Sequence, residues 1–419
     1  MFSSTSLLVT IALALSVAAN PILFNQRRAG TPITLKSAKR VNATGTFNLV
    51  VRDQARAKNL KAKGANPTLA FKNAGVVGSI PATNQAVDYT VDVQVGNPPT
   101  TYTLLVDTGS SNTWVGSSKP YIQTSTSIQT NDQVAVTYGI GDMEGTEFND
   151  KLSLDAGLNV FGQSLGVATS STGFDDVDGI LGLGPNDLTV GTLKPDTKST
   201  IPTVTDNLFS QAVIAANQVA ISFEPTTSLS VQNGEITFGG TDSSKFVGSI
   251  NLAPITKTKP AANFWGIDQA IRFGNTQILK QTAGIVDTGT TLTLIASDAF
   301  AQYQQLTGGI PNANTGLLQI NATQFSALKS LFFTVNNVDY EFTADAQIWP
   351  RALNSAIGGQ PDDIFLVVSD LGTPSGEGLD FINGFTFLER FYSVYDTANK
   401  KVGLANTPFT RATSNFNSV

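Results

Sequence analysis

The 419-residue sequence contains neither cysteine nor histidine, and these two absences exclude most of the common catalytic groups. Without cysteine the chain can form no disulfide, no thiol nucleophile and no thiolate metal site. Without histidine it cannot carry a Ser-His-Asp or Cys-His triad, or a histidine-ligated zinc or haem. A hydrolase of this composition must take its acid and its base from carboxylates, lysine or tyrosine.

Charged residues are also scarce. Only 14% of the chain is Asp, Glu, Lys or Arg, whereas about 25% is usual for soluble domains. This low charge, together with 37 glycines, excludes a coiled coil or an ordinary helical bundle and favours a β-rich protein with many turns. The net charge of −6 argues against nucleic acid as a partner. The length is sufficient for two domains.

The N-terminus has the features of a signal peptide. Residues 7–19 form an apolar run that is too short to span a bilayer comfortably. Small residues at its end, Val17-Ala18-Ala19, suit a signal peptidase, so we expect cleavage near Ala19 and secretion to the extracellular space. No second hydrophobic segment follows, and no membrane anchor is expected.

The charge is distributed unevenly along the chain. Residues 20–74 carry eleven Lys or Arg and one acid, Asp53, while residues 75–419 carry fifteen bases and 31 acids. A basic segment joined to an acidic body meets it at high effective concentration. We therefore predict that residues 20–77 are a pro-segment that binds the body; a basic tail for an outside partner is the alternative.

A long internal duplication is the most informative feature. Residues 105–115, LVDTGSSNTWV, recur 180 positions later as residues 285–295, IVDTGTTLTLI. A weaker echo follows each copy, at residues 177–182 and 379–384. Around these copies the chain shows short alternating strands, and the best helix candidate is residues 297–306, with Ser297 or Asp298 as its cap. Two copies of so large a unit predict two similar lobes, residues 78–248 and 249–419.

Each copy places an aspartate at the end of a strand, just before Thr-Gly. One such residue, Asp107 or Asp287, would be compatible with an ordinary turn. Two in matched settings indicate a pair that face each other, and like charges a few ångströms apart share one proton. The ionised carboxylate then takes a proton from water while the protonated one polarises a carbonyl. The pair predicts direct attack of water on a peptide bond.

At this point the sequence resembles a known family. VDTGSSNTW and VDTGTTLT match the two active-site motifs of the pepsin-like aspartic proteases, and the resemblance covers about residues 78–410. Within that family the chain is most similar to the basidiomycete polyporopepsins, through its cysteine-free body, IPATNQ at 80–85 and the segment at 381–397. The resemblance implies an all-β, bilobal fold with a central cleft and a β-hairpin flap. It also implies a precursor whose pro-segment places a lysine against the catalytic pair.

The same resemblance implies the activity and its partners. We expect a monomeric aspartic endopeptidase that binds extended polypeptides, prefers hydrophobic residues beside the scissile bond, and responds to statine-type inhibitors. We expect no metal and no organic cofactor.

The site residues also follow from the resemblance, by position. The catalytic residues are Asp107 and Asp287. The residues that support them are Thr108, Gly109, Ser110, Thr288, Gly289 and Thr290. The substrate-binding residues are Tyr138 and Gly139 of the flap, Gly141, Ile180 and Phe264. Trp114 is the expected partner of the Tyr138 hydroxyl.

Three positions leave details open. The flap tip has Ile140 and then Asp142, which leaves the preference beside the scissile bond undecided. Asn383 falls at a position that the resemblance places in the core, so its amide needs partners that the sequence does not reveal. Asn42 and Asn321 lie in glycosylation sequons, and Asn42 would leave with the pro-segment.

Two other functions stay open at this point. A catalytically inactive relative that binds protein or polysaccharide would be expected to have lost one aspartate of the pair or the flap tyrosine, and all three are present. A glycosidase with two carboxylates would favour aromatic platforms for sugars, and the chain has three tryptophans.

Overall fold

The computed structural model describes residues 32–40, 48–65, 88–139, 141–154 and 158–416. The predicted signal peptide, the sequon at Asn42, the flap-tip residue Ile140 and the junction near residues 74–78 lie outside these ranges. Within them, strands predominate and helices are few, which confirms the predicted all-β class.

Strands and helices are numbered in chain order. The strands up to residue 254 are β1 (Ile33–Arg40), β2 (Asp88–Val95), β3 (Thr100–Asp107), β4 (Trp114–Val115), β5 (Ile128–Thr137), β6 (Asp142–Leu154), β7 (Leu158–Thr172), β8 (Gly179–Gly182), β9 (Leu193–Lys194), β10 (Gln218–Ser222), β11 (Ser230–Phe238) and β12 (Val247–Pro254). The later strands are β13 (Gly266–Phe273), β14 (Thr276–Val286), β15 (Thr293–Ile295), β16 (Ile310–Pro311), β17 (Leu318–Ile320), β18 (Leu331–Val335), β19 (Val338–Phe342), β20 (Ile364–Leu366), β21 (Val368–Asp370), β22 (Phe381–Asn383), β23 (Phe391–Asp396) and β24 (Lys401–Asn406). The α-helices are α1 (Leu49–Ala65), α2 (Val204–Ser210), α3 (Ser297–Thr307), α4 (Ala322–Ser326) and α5 (Phe385–Leu388).

Most strands belong to two sheets, and each sheet contains one copy of the duplicated motif. A fourteen-stranded sheet contains β1 to β12 together with β23 and β24, and a seven-stranded sheet has the order β19-β18-β13-β14-β22-β15-β21. The first copy forms the order β3-β8-β4, and the second forms the order β14-β22-β15. In both, the first two strands are parallel and the third is antiparallel to its neighbour. The duplication in the sequence therefore corresponds to a duplication in topology.

Several of these strands are formed by apolar residues that lie in the core. The residues of β8, β15 and β22 are buried throughout, as expected for strands covered on both faces. A second, smaller cluster contains Trp114, Tyr138, Phe174 and Ile180.

The predicted helix is present as α3, but its cap is Ala296 rather than Ser297 or Asp298, because these two side chains bond to Asp370 and Ser375 instead. Within the described ranges, no helix is both long and apolar enough to cross a membrane.

The basic segment packs into the body at two places. Strand β1 lies between β11 and β2; Ile33 to Arg40 pair antiparallel with β11, and only residues 38–40 pair antiparallel with β2. One face of helix α1 is buried against the body. Its residues are spaced three or four apart, as on one side of a helix, and are mostly apolar or basic: Leu49, Arg52, Asp53, Arg56, Ala57, Leu60 and Gly64. This helix is the element that reaches the candidate site.

Candidate active site

The two aspartates of the duplicated motif are fully buried and held in the same way. Asp107 is the last residue of β3, and Asp287 directly follows β14. The Asp107 carboxylate accepts from the Gly109 backbone NH at 2.9 Å and from Ser110 Oγ at 2.6 Å. The Asp287 carboxylate accepts from the Gly289 backbone NH at 3.0 Å and from Thr290 Oγ1 at 2.6 Å. The strand ends therefore fix both carboxylates against their own loops.

Two threonines join the two loops. The backbone NH of Thr108 donates to Thr288 Oγ1 at 3.0 Å, and the backbone NH of Thr288 donates to Thr108 Oγ1 at the same distance. Each hydroxyl then donates across to the opposite strand, Thr108 Oγ1 to the Val286 carbonyl and Thr288 Oγ1 to the Val106 carbonyl. This reciprocal pattern holds the two aspartates at a fixed separation.

The glycines of the two loops allow the carboxylates to approach each other. A Cβ atom on Gly109 would lie 2.6 Å from Asp287 Oδ1, and a Cβ atom on Gly289 would lie 2.7 Å from Asp107 Oδ1. Both contacts are closer than real Cβ atoms adopt. Gly109 and Gly289 are therefore required by close packing across the pair.

An arginine of helix α1 lies between the two carboxylates. Arg56 Nη2 is 2.6 Å from Asp107 Oδ1 and 2.9 Å from Asp287 Oδ1, and Arg56 Nε donates to Asp287 Oδ2 at 2.8 Å. The guanidinium is buried together with both partners. The expected residue at this place was a lysine of the basic segment, whereas the cation bonded to both carboxylates is Arg56. Arginine suits the position because its fork reaches two carboxylates at once.

The two carboxylates have opposite pKa directions. Burial raises the pKa of Asp107 above its ordinary value, although Arg56 opposes this effect. Burial also acts to raise the pKa of Asp287, but the charge and hydrogen bonds of Arg56, together with the bonds from Thr290 and Gly289, outweigh it, and the pKa of Asp287 is lowered. The environment thus separates the two groups, which is the arrangement expected of an acid and a base in one site.

The candidate flap is formed by β5, β6 and the turn between them. Tyr138 follows β5, is buried, and its hydroxyl accepts from Trp114 Nε1 at 2.8 Å, which is the predicted contact. Gly139 has a φ of +80°, and a Cβ atom there would meet the carbonyl oxygen of Ala55 in helix α1 at 2.5 Å. A Cβ atom on Gly141 would overlap the carbonyl oxygen of Thr172. At both positions the backbone of a neighbouring segment leaves no room for a side chain, so glycine is required.

The two predicted subsite residues are covered in this structure. Ile180 lies on β8 in the same apolar cluster as Trp114 and Tyr138. Phe264 is buried, and its ring packs closely against Gly64 near the end of α1. A side chain at Gly64 would not fit there, because its Cβ atom would lie 2.7 Å from the Phe264 ring. Helix α1 therefore occupies the space next to the Phe264 ring.

Asn321 and Asp142 lie outside this cluster. Asn321 is exposed and caps helix α4, because its Oδ1 accepts from the Gln324 backbone NH at 2.9 Å. Asp142 starts β6 and accepts from Thr172 Oγ1 at 2.7 Å.

Sequence reasoning missed the residues by which α1 docks. Arg52 forms an ion pair with Asp88 at 3.0 Å and donates to Thr291 Oγ1, and the Asp53 carboxylate accepts from the Leu292 backbone NH at 2.7 Å. Burial raises the pKa of Asp53 to about 6, although Arg52 opposes this effect. The helical spacing of Arg52, Asp53 and Arg56 was the available signal, since positions three and four apart share one face of a helix.

Comparison with known proteins gives consistent findings. The sequence model of the eukaryotic aspartyl protease family matches residues 88–407. Polyporopepsin of Irpex lacteus is 64% identical over 339 residues, which are 81% of this chain and 99% of that protein. Cathepsin E of Rattus norvegicus is 32% identical over 76% of this chain and 80% of its own length. The crystal structure of the aspartic proteinase from Irpex lacteus superimposes with a TM-score of 0.79 at 54% identity, covering 92% of this chain and all of that one. The last likeness confirms the expected bilobal fold.

Proposed function

Because this chain belongs to the family of eukaryotic aspartyl proteases, we propose that it is a secreted aspartic endopeptidase whose catalytic pair is Asp107 and Asp287. The observation that carries the proposal is the matched pair of buried carboxylates, cross-linked by Thr108 and Thr288 and bound to one guanidinium. The substrate is an extended polypeptide with hydrophobic residues beside the scissile bond, bound along the cleft that α1 fills in the precursor.

The proposed reaction uses one proton shared by the two carboxylates. The ionised carboxylate accepts a proton from a water molecule, whose oxygen attacks the peptide carbonyl, while the protonated carboxylate gives its proton to the carbonyl oxygen. The first carboxyl group then passes its new proton to the peptide nitrogen as the C–N bond breaks, and the second recovers a proton from a hydroxyl of the intermediate, so that both return to their starting states. Gly109, Ser110, Gly289 and Thr290 hold the carboxylates during these transfers. Tyr138, held by Trp114, lies in the flap that closes over the substrate and excludes water. The need for one shared proton places the activity at acidic pH.

We further propose that residues 20–77 are the pro-segment of a zymogen and that residues 1–19 are a signal peptide. The lobes are then residues 78–248 and 249–419, and the family match from residue 88 onward is consistent with this division. Four basic residues of the segment support the inhibitory role, because each pairs with a carboxylate of the body. Lys39 pairs with Glu389 at 2.5 Å, Arg52 with Asp88, Arg56 with both catalytic aspartates, and Lys61 with Glu377.

Acid would release this segment because its carboxylate partners lose their charge. The pKa of Asp287 is lowered while Arg56 is bound, so its contribution to the closed state is present above the ordinary pKa of an aspartate and is lost as the pH falls through the lowered value. Asp53, Asp88 and Asp107 act in the opposite direction, because burial raises the pKa of each in the closed state although a neighbouring arginine opposes this effect. The contribution of Asp53 is full at low pH and is lost as the pH rises through about 6.

The test is digestion of casein by the acid-converted protein, with and without a statine-type inhibitor. We expect digestion at acidic pH that the inhibitor abolishes, and no digestion by the unconverted precursor. Casein digestion that the inhibitor does not affect would overturn the proposed mechanism, and a precursor that is fully active at pH 7 would overturn the proposal of a zymogen.

Two further measurements test the processing of the chain. Terminal sequencing of the converted protein locates the junction, which we expect near residues 74–78. Glycosylation at the exposed Asn321 is checked by the mass of the secreted protein before and after removal of N-linked glycans.

A further inference from the structure

A pair of buried amides lies behind the second aspartate. Gln269 on β13 and Asn383 on β22 have no exposed surface. Their side chains bond in both directions: Asn383 Nδ2 donates to Gln269 Oε1 at 2.8 Å, and Gln269 Nε2 donates to Asn383 Oδ1 at 3.4 Å. Each amide thus gives the other one donor and one acceptor, as a buried polar group requires. This answers the question that the sequence left open for Asn383.

The amide pair is connected to Asp287 through the main chain. Strands β13 and β22 flank β14 on opposite sides, and Asp287 directly follows the last residue of β14. The backbone NH of Asp287 donates to the carbonyl oxygen of Asn383 at 3.1 Å. The amide pair holds β22 in place relative to β13. Since the backbone of Asp287 is bonded to β22, the pair also restrains the position of Asp287.

The first half of the chain has apolar residues at the same two places. Strand β3, which leads to Asp107, corresponds to β14, which leads to Asp287. The residue paired with β3 at the place of Gln269 is Val93 on β2, and the residue at the place of Asn383 is Leu181 on β8. Both residues are buried in the main apolar core. Apolar contacts are non-directional, whereas a reciprocal amide pair has a defined geometry. Burying two amides is costly unless they are bonded, so their presence behind Asp287 needs a reason beyond filling space.

We propose that the Gln269–Asn383 pair is a positioning element of the peptidase, which sets the place of the Asp287 carboxylate relative to Asp107. The inference rests on the proposed catalytic role of Asp287. Neither amide lies between the two carboxylates, so both act through the Asp287 backbone. Small displacements of a reacting group cost large factors in rate, and this cost falls on kcat rather than on substrate binding.

The decisive variant is the double substitution Gln269→Val with Asn383→Leu, which reproduces the Val93–Leu181 arrangement. Removing both amides leaves no unpaired polar group, so the fold should survive. In the acid-converted enzyme we expect kcat on a peptide substrate to fall about tenfold or more, with KM nearly unchanged. The pH profile of kcat should also move, because the distance between the carboxylates governs how they share a proton. The exchanged pair, Gln269→Asn with Asn383→Gln, keeps two amides and should recover most of kcat.

A double variant with the kcat and the pH profile of the wild type would overturn the proposal, and so would an exchanged pair as impaired as the double variant. Where the double variant does not fold, Gln269→Met with Asn383→Leu decides instead, because it removes both amides while nearly keeping their volume. Its kcat should fall as in the first double variant; a wild-type kcat and pH profile would overturn the proposal. Asp287→Asn is measured alongside. If Asp287→Asn stays active, the proposed function itself fails, and if it is inactive while the double variant behaves as wild type, only this inference fails.

Discussion

The two halves of the molecule hold the paired aspartates alike but surround them differently. Asp107 and Asp287 accept equivalent bonds from a glycine NH and a hydroxyl. Around Asp107 stand Trp114 and the flap, whereas Leu294 occupies the matching position in the second half. Around Asp287 stand the amide pair, Asp53 and two of the three bonds from Arg56. The symmetry of the loops brings the carboxylates together, and the asymmetry around them gives the two groups opposite pKa directions while Arg56 is bound.

The largest effect should come from removing one member of the symmetric pair. Asp107→Asn and Asp287→Asn should each lower kcat/KM of the converted enzyme by about a thousandfold or more, and the double variant should lose little further, because the two groups act as a unit. Since self-conversion would also stop, the variants are converted with added wild-type enzyme that is then removed. A single variant that kept more than about a tenth of the activity would contradict the assignment, and thermal melting would show that the fold is retained.

The next largest effect should follow from removing the cation between the halves. Arg56→Ala leaves two buried carboxylates facing each other without the cation bonded to both, and breaking a buried ion pair in this way costs about 3–5 kcal/mol. We expect the precursor to bind a statine-type inhibitor at least about a hundredfold more tightly than the wild-type precursor does, because the cleft opens more often. Lys58→Ala, an exposed position on the same helix, is the matched control and should change nothing. Equal inhibitor binding by the Arg56→Ala and wild-type precursors would exclude this role of Arg56.

The first half also contains a buried acid that should make it sensitive to pH. Burial raises the pKa of Glu147 on β6 from 4.5 to about 7, although Ser164 donates to it. The stability this group contributes is full below its ordinary pKa and is lost as the pH rises through about 7, up to about 3 kcal/mol. Glu147→Gln should therefore flatten the fall of the melting temperature of the converted enzyme between pH 5 and 8. Glu144→Gln, exposed on the same strand, should not; identical slopes for both variants would contradict the prediction.

A smaller effect should appear where helix α1 meets the second half. Because the raised pKa of Asp53 favours the closed precursor at low pH, this residue opposes release by acid. Asp53→Asn keeps an acceptor for the Leu292 backbone NH but removes the titration. We expect the ratio of conversion rates at pH 4.5 and pH 6.5 to increase about tenfold, as measured by gel densitometry. An unchanged ratio would show that Asp53 does not contribute to the pH dependence.

The smallest effect should come from the flap of the first half. Trp114→Phe removes the indole NH that donates to the Tyr138 hydroxyl, and one neutral hydrogen bond contributes about 1 kcal/mol. We expect kcat/KM of the converted enzyme to fall about fivefold, because the closed position of the flap becomes less favourable. Tyr138→Phe removes the other partner and should produce a similar loss. The double variant should lose no more than either single one, and additive losses would contradict a shared bond.

Several features of the site could be predicted from local sequence. Strand-forming residues followed by Asp-Thr-Gly, repeated at a spacing of 180, predict two similar loops with carboxylates at strand ends. Asp107, Asp287, Thr108, Thr288 and the two loop glycines lie together as expected. The contact between Trp114 and Tyr138 also followed from the resemblance.

The partners of the remaining polar residues could not be predicted in this way. The resemblance implied a lysine of the basic segment for the paired aspartates, but not that Arg56 would take this place. The choice depends on how helix α1 is rotated in the cleft, with its partners 51 and 231 residues away in the chain. The same holds for Asn383, whose partner Gln269 lies 114 residues earlier.

The sequence by itself therefore determined the pairing of the two aspartates, the all-β class and the duplicated topology, because each depends on short patterns that fold locally and repeat. The tertiary structure alone decided which arginine lies between the carboxylates, which amide satisfies Asn383 and which surroundings distinguish the two aspartates. The physical reason is that a buried charge or amide must be satisfied by whatever group the fold brings within about 3 Å, and that group is set by the packing of distant strands and helices rather than by neighbours in the chain.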